Sequence, residues 1–139
     1  PQFRHLGATE RMLDPLNPAS LAFLGDIYRE MAPSFSSVYF TPNLDEAWDR
    51  SRGGLKGAAE ELGPARIYAG HVVKIDSMLR AAGKKTVIWG DIILEHPEIL
   101  QMIRQGPQSL GGMALRREGF SMVSQRMGPS SVMENMPAI

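Results

Sequence analysis

Two adjacent carboxylates, Asp45 and Glu46, follow a short β-rich run, Ser37 to Phe40, and precede an aromatic, Trp48. Folds that alternate strands and helices place catalytic groups at the C-terminal ends of strands, where loops surround a ligand. Neighbouring acids disfavour joint ionisation, so one of the pair holds its proton more readily and can serve as a general acid. In an extended chain adjacent side chains point to opposite faces, so the two acids share a task only on a bend beyond the strand. The same dipeptide also suits the first turn of a helix, where acids favour the positive end of the helix dipole. Spacing leaves both possibilities open.

A second strand end carries similar groups. In Thr86 to Asp91 an apolar run closes on Trp89, Gly90 and Asp91, a flat apolar face beside an acceptor. That combination suits sugar rings, nucleobases and other amphipathic ligands, although either Trp taken alone fits a core or rim position with its indole N–H satisfied locally. The histidines His5, His71 and His96 are too scattered for a metal site, and no cofactor is expected. His71 falls on a helix between Tyr68 and Ile75, where it fits the edge of a core. Gly53-Gly54 and Gly111-Gly112 are isolated pairs, short of a phosphate-cradling motif.

The elements that must position these groups follow from periodicity. Residues 1 to 16 lack it and read as an irregular lead-in with room for one helical turn. Asn17-Pro18 is an N-cap followed by a proline suited to the first helical position. Leu21, Leu24, Tyr28 and Met31 then recur at steps of three and four, and Pro33 closes the helix. Val38 to Phe40 is the first strand, ended by Pro42. The long polar connection from Asn43 to Gly63, with a helical piece from Leu55 to Leu62, has the character of a functional loop. A second long helix carries Tyr68, Val72, Ile75 and Leu79, with Gly83 placed to cap it. Thr86 to Trp89 starts a second strand, which Gly90 to Ile93 completes. Strand, helix, strand with apolar strands predicts a parallel βαβ unit covered on both faces. His96 to Ile103 predicts a further helix, Ala114 to Glu118 another, and Phe120 to Val123 a third strand.

Composition narrows the partners. The 139 residues are 43% hydrophobic and 22% charged, with 15 basic and 15 acidic side chains. One soluble α/β domain is expected, and no net field draws it to nucleic acid or to an anionic membrane. There is no cysteine, hence no disulfide framework or thiolate metal site. No apolar run approaches the roughly 20 residues of a membrane span, and no signal peptide is recognisable, which leans toward a cytoplasmic location. The chain begins at Pro1 rather than Met, which suits a piece of something longer.

Taken in order, Asn17-Pro18-Ala19-Ser20, Phe35 to Phe40, Asn43-Leu44-Asp45-Glu46, Val87 to Ile93 and His96 to Leu100 resemble the catalytic domain of family 20 glycoside hydrolases, the β-N-acetylhexosaminidases. The likeness runs from about Leu13 to Leu100. It implies an incomplete (β/α)₈ barrel, since a whole barrel needs about 200 residues or more. Residues 17–104 would supply the best-matching βα units, with 105–139 as an unassigned tail. The resemblance further implies hydrolysis of terminal β-linked N-acetylhexosamines, with the substrate's own acetamido oxygen as nucleophile. Glu46 would be the general acid and later base, and Asp45 would orient the acetamido group. Trp89 would line its pocket, Asp91 would hold the sugar or a neighbouring Tyr, and Trp48 would sit on the rim. The expected partners are an N-acetylated amino sugar or oligosaccharide and either a second copy of the chain or the remainder of a parent chain. Two alternatives stand beside this reading. One is a sugar-binding or scaffold derivative that has lost turnover. The other is a small α/β interaction domain in which Asp45-Glu46 merely opens a helix.

Overall fold

A computed structural model of the chain describes residues 2–45, 47, 49–105 and, for backbone only, 121–123. The first helix, α1 (Pro18–Met31), starts as its cap residue dictates: the Asn17 side-chain oxygen accepts from the Ala19 N–H at 2.9 Å, with Pro18 next in the chain. A short 3₁₀ turn, Ala32–Ser34, follows and leads to strand β1 (Tyr39–Phe40). The crossover contains a 3₁₀ turn at Gly53–Leu55, then α2 (Lys56–Leu62) and α3 (Pro64–Ala81). Strand β2 (Lys85–Trp89), α4 (Asp91–Glu95), α5 (Glu98–Gln105) and β3 (Ser121–Val123) complete the order. The expected helix at 114–118 lies outside the described residues, as does Phe120 of the expected third strand.

The sheet runs β1-β2-β3 with both pairings parallel. Tyr39 is opposite Lys85, and Val87, Ile88 and Trp89 are opposite Ser121, Met122 and Val123. The chain is therefore a mixed helix and parallel-strand α/β protein, with long helical connections between strands that run the same way.

Helix α3 is buried on more than one side. Ala65, Tyr68, Ala69 and Val72 pack with Ile88, Ile92, Ile93 and Ile99 from β2, α4 and α5. Ile75 and Leu79 pack on Tyr28 of α1, with Leu24, Ile27, Phe40 and Leu44 around them. Ile67 joins Ala8, Leu55 and Ala59. The helix stops where a left-handed residue is available: Gly83 has φ +74, its N–H meets the Arg80 carbonyl at 2.9 Å, and the Lys84 N–H meets the Leu79 carbonyl at 2.9 Å. This is the paired-bond terminus for which glycine is favoured.

The second strand is shorter than its sequence suggests. Gly90 to Ile93 was expected to extend it, but Gly90 takes a helical conformation and the Leu94 N–H closes on the Gly90 carbonyl at 2.8 Å. Parallel pairing ends at Trp89, and Ile92 and Ile93 bury as part of α4. An apolar run of this length is ambiguous between buried strand and buried helix. Asp91 in the first turn of α4 favours the helix through its dipole.

The lead-in is irregular but fixed. A 3₁₀ turn at Arg4–Leu6 precedes an antiparallel bridge between Gly7 and Leu13. Ser20 Oγ donates to the Leu6 carbonyl at 2.6 Å, and the Gly54 N–H donates to the Ala8 carbonyl at 3.0 Å. Gly53 makes that docking possible: its φ is +55, and a Cβ there would run into the Ala8 carbonyl oxygen. A Cβ on Gly54 would instead stand 3.7 Å from the same oxygen, an ordinary contact. Gly53→Ala should therefore lower stability by at least about 1 kcal/mol more than Gly54→Ala, the left-handed penalty alone being of that order. Urea midpoints of the two variants measure the difference.

Candidate functional site

The acids leave β1 on a bend. Pro42 ends the strand and Asn43 adopts φ 50, a left-handed conformation that Asn tolerates better than other side-chain-bearing residues. Leu44 and Asp45 follow in non-helical backbone, and the next helical segment among the described residues begins at Gly53. Asp45 thus sits on a bend past the strand rather than at a helix start. Glu46 and Trp48 lie outside the described residues.

Tyr68 of α3 holds this bend from below. Its hydroxyl donates to the Leu44 carbonyl at 2.7 Å, and the residue is 4% exposed. Burial raises the phenol well above its usual range; the Asp91 carboxylate raises it further, Arg50 opposes, and Asp45 adds to the rise. Asp45 and Asp91, from the ends of neighbouring parallel strands, therefore both act on one buried hydroxyl. Arg50 is set among them: Nη1 donates to the Ala47 carbonyl at 3.0 Å, and Nη2 lies 3.7 Å from Glu95 Oε2 of α4. With its side chain 11% exposed, Arg50 provides an opposing charge inside the site.

A cavity of about 340 Å³ opens beside the bend. Leu44, Asp45, Asp49 and Arg50 form one wall, Tyr68 and His71 of α3 another, and Leu24 and Tyr28 of α1 a third. Arg11 to Leu13 and Pro15 of the lead-in complete it, held by the Lys74 ammonium on the Pro15 carbonyl at 3.2 Å and by Thr9 Oγ1 on Asp49 Oδ2 at 3.0 Å. Trp89 is half-buried at the end of β2 and, like Asp91, is not part of the cavity wall. The structure brings Asp45 and Asp91 to a common neighbour and leaves Trp89 outside the cavity.

His71 is the imidazole of this wall. Its Nδ1 is closed to solvent and has no hydrogen-bond partner among the described residues. Burial pushes its pKa down to about 4, and Lys74 adds to the fall, so the ring is neutral at pH 7. Among the described residues no three His, Asp or Glu side chains gather as a metal site, and no helix is long and apolar enough to cross a membrane.

Sequence reasoning passed over Tyr68, Arg50 and His71 as site residues. Tyr68 and His71 were absorbed into the helix periodicity as core and core edge. The available signal was chemical: a Tyr in an apolar stripe carries a hydroxyl that must find a partner when buried. Comparison with known proteins gives no match to a family model, a curated protein or a solved structure.

The neutral imidazole gives stability a pH dependence. Between pH 6.5 and about 4 the unfolded chain binds a proton at His71 that the folded chain refuses, so stability falls as the pH falls through that window. The contribution is up to about 3 kcal/mol. Urea unfolding at pH 7 and pH 4.5 should show that His71→Gln loses much less stability on acidification than the unaltered chain does.

Proposed function

We propose that this chain is part of a β-N-acetylhexosaminidase-type catalytic domain, its parallel strands and covering helices forming βα units of a (β/α)₈ barrel. One observation carries the reading: Asp45 follows the end of β1 and Asp91 the end of β2, adjacent parallel strands, and the Tyr68 hydroxyl donates to the Leu44 carbonyl beside Asp45. Acids gathered at that end of a parallel sheet are what a glycosidase site on such a scaffold requires. The bend at Asn43 supports it too, since it frees Asp45 from the alternation that would turn neighbouring acids to opposite faces.

In this reading Glu46 donates a proton to the glycosidic oxygen as the bond to the anomeric carbon breaks. The substrate's acetamido oxygen forms the new bond to that carbon, and Asp45 holds the acetamido N–H while positive charge develops there. Water then attacks the anomeric carbon, gives its proton to the Glu46 carboxylate, and returns the acetamido group with retained configuration. Glu46 handles the proton in both steps and Asp45 the acetamido group, so the two acids need not aim at one atom. Asp91 adds its charge near Tyr68, and Trp48 offers an apolar face to the sugar, with Trp89 standing outside the cavity. Strands supplied by the parent chain or a second copy would complete the barrel.

Hydrolysis of a chromogenic β-N-acetylglucosaminide by this chain, run beside Glu46→Gln, tests the proposal. The variant should lose about 10²–10⁴-fold in rate, the usual contribution of a positioned general acid. Equal background rates in both would overturn catalysis by this chain.

A further inference from the structure

The lining of the cavity specifies more than a reaction class. Its charges balance, Arg11 and Arg50 against Asp45 and Asp49. Two of the four are already engaged: Arg50 with Ala47 and Glu95, and Asp49 with Thr9 and Arg52. An anionic ligand would meet the two carboxylates and a cationic one the two guanidiniums, so neither charge sign is selected. Leu13, Leu24, Leu44 and Leu55 add apolar surface to the same lining. At about 340 Å³ the cavity falls at the small end of ligand sites. His71 stands in this wall with Nδ1 unmatched among the described residues. Leaving a buried nitrogen unpaired costs roughly 1–3 kcal/mol, a cost that a bound hydroxyl or amide removes.

We propose that the cavity beside Asp45 binds an uncharged ligand of monosaccharide size bearing hydroxyl or amide groups, and that His71 is its hydrogen-bonding contact. Nδ1 is closed to solvent, so a ligand group in the cavity meets it after a half-turn of the ring about Cβ–Cγ, and the neutral imidazole serves as donor or acceptor according to its tautomer. The choice of an N-acetylated sugar as ligand rests on the glycosidase reading above. The location of the site and its preference for a neutral ligand do not, because neither requires turnover.

The test follows the imidazole signals of the full chain by NMR during titration with N-acetylglucosamine, with glucosamine as cationic and glucuronate as anionic probe. The His71 signal is the one missing from His71→Leu. Saturable displacement of that signal by N-acetylglucosamine is expected, with binding at least tenfold weaker for both charged probes. His71→Leu should weaken N-acetylglucosamine binding about tenfold, the effect of one lost hydrogen bond at a buried site. His71→Gln, which keeps a hydrogen-bonding group, should recover part of the loss and guards against a folding artefact. No saturable binding, or binding that leaves the His71 signal and the affinity of His71→Leu unchanged, would overturn the inference. Binding at His71 in a chain without hydrolysis would uphold it while the catalytic reading fails. Hydrolysis with an unaltered KM in His71→Leu would overturn it while the catalytic reading stands.

Discussion

Burial of α3 is the constraint on which the remaining structure depends. Val72, Ile75 and Leu79 are fully enclosed, Ile67 and Tyr68 nearly so. Each large apolar side chain removed from water contributes about 1.5–3 kcal/mol, so these positions fix the helix in place against α1, the sheet and the lead-in together. The elements around it are short: β1 has two residues and β3 three. Strands this brief do not hold a register on their own. They stand parallel because a well-packed helix spans the crossover, and the Lys85 N–H reaches the Val38 carbonyl at 2.7 Å to start the pairing.

The same helix turns packing into chemistry. Tyr68 faces the apolar cluster with its ring and the acid-bearing bend with its hydroxyl. Asp91 and Asp45 would make this a strongly negative spot, and Arg50 offsets them from a buried position. One turn further along α3, His71 meets the cavity as a neutral group because its surroundings cannot solvate a charge. Acid and guanidinium on one wall thereby face a cavity shared with phenol and imidazole on another, and Ile and Val side chains pack around the helix that carries the latter pair. The lead-in joins the lining through the Pro15 carbonyl on Lys74 and the Thr9 hydroxyl on Asp49, which explains how a stretch without periodicity takes part in the cavity.

Much of the scaffold was legible in the sequence. The caps and the three-and-four spacing marked α1, α3 and the start of α5, and Gly83 marked the end of α3, because these signals are local and each has its own backbone requirement. The boundary between β2 and α4 was not, since Ile92 and Ile93 satisfy a buried strand and a buried helix equally and only the end of pairing at Trp89 decides. In the site, Asp45 and Asp91 were visible as strand-end acids, and a bend was required for Asp45 to act. Arg50 and Tyr68 were not, because their roles come from partners remote in the chain: Leu44 lies 24 positions from Tyr68, and Glu95 is on a different element from Arg50. Gly53 stood out only as half of a Gly-Gly pair, and its meaning lies in the Ala8 carbonyl that approaches it.

The claim at the centre of this account is that α3, through the Tyr68 hydroxyl, holds the bend that carries Asp45. The most direct measurement compares carbonyl and amide chemical shifts of Asn43, Leu44, Asp45 and Ala47 in the unaltered chain and in Tyr68→Phe, together with the urea midpoint. Removing the hydroxyl should move the Leu44 carbonyl and its neighbours and cost about 1 kcal/mol, while the rest of α3 keeps its shifts because the ring still fills its place. Shift changes confined to α3 around position 68, with the bend and the midpoint unaffected, would contradict the account.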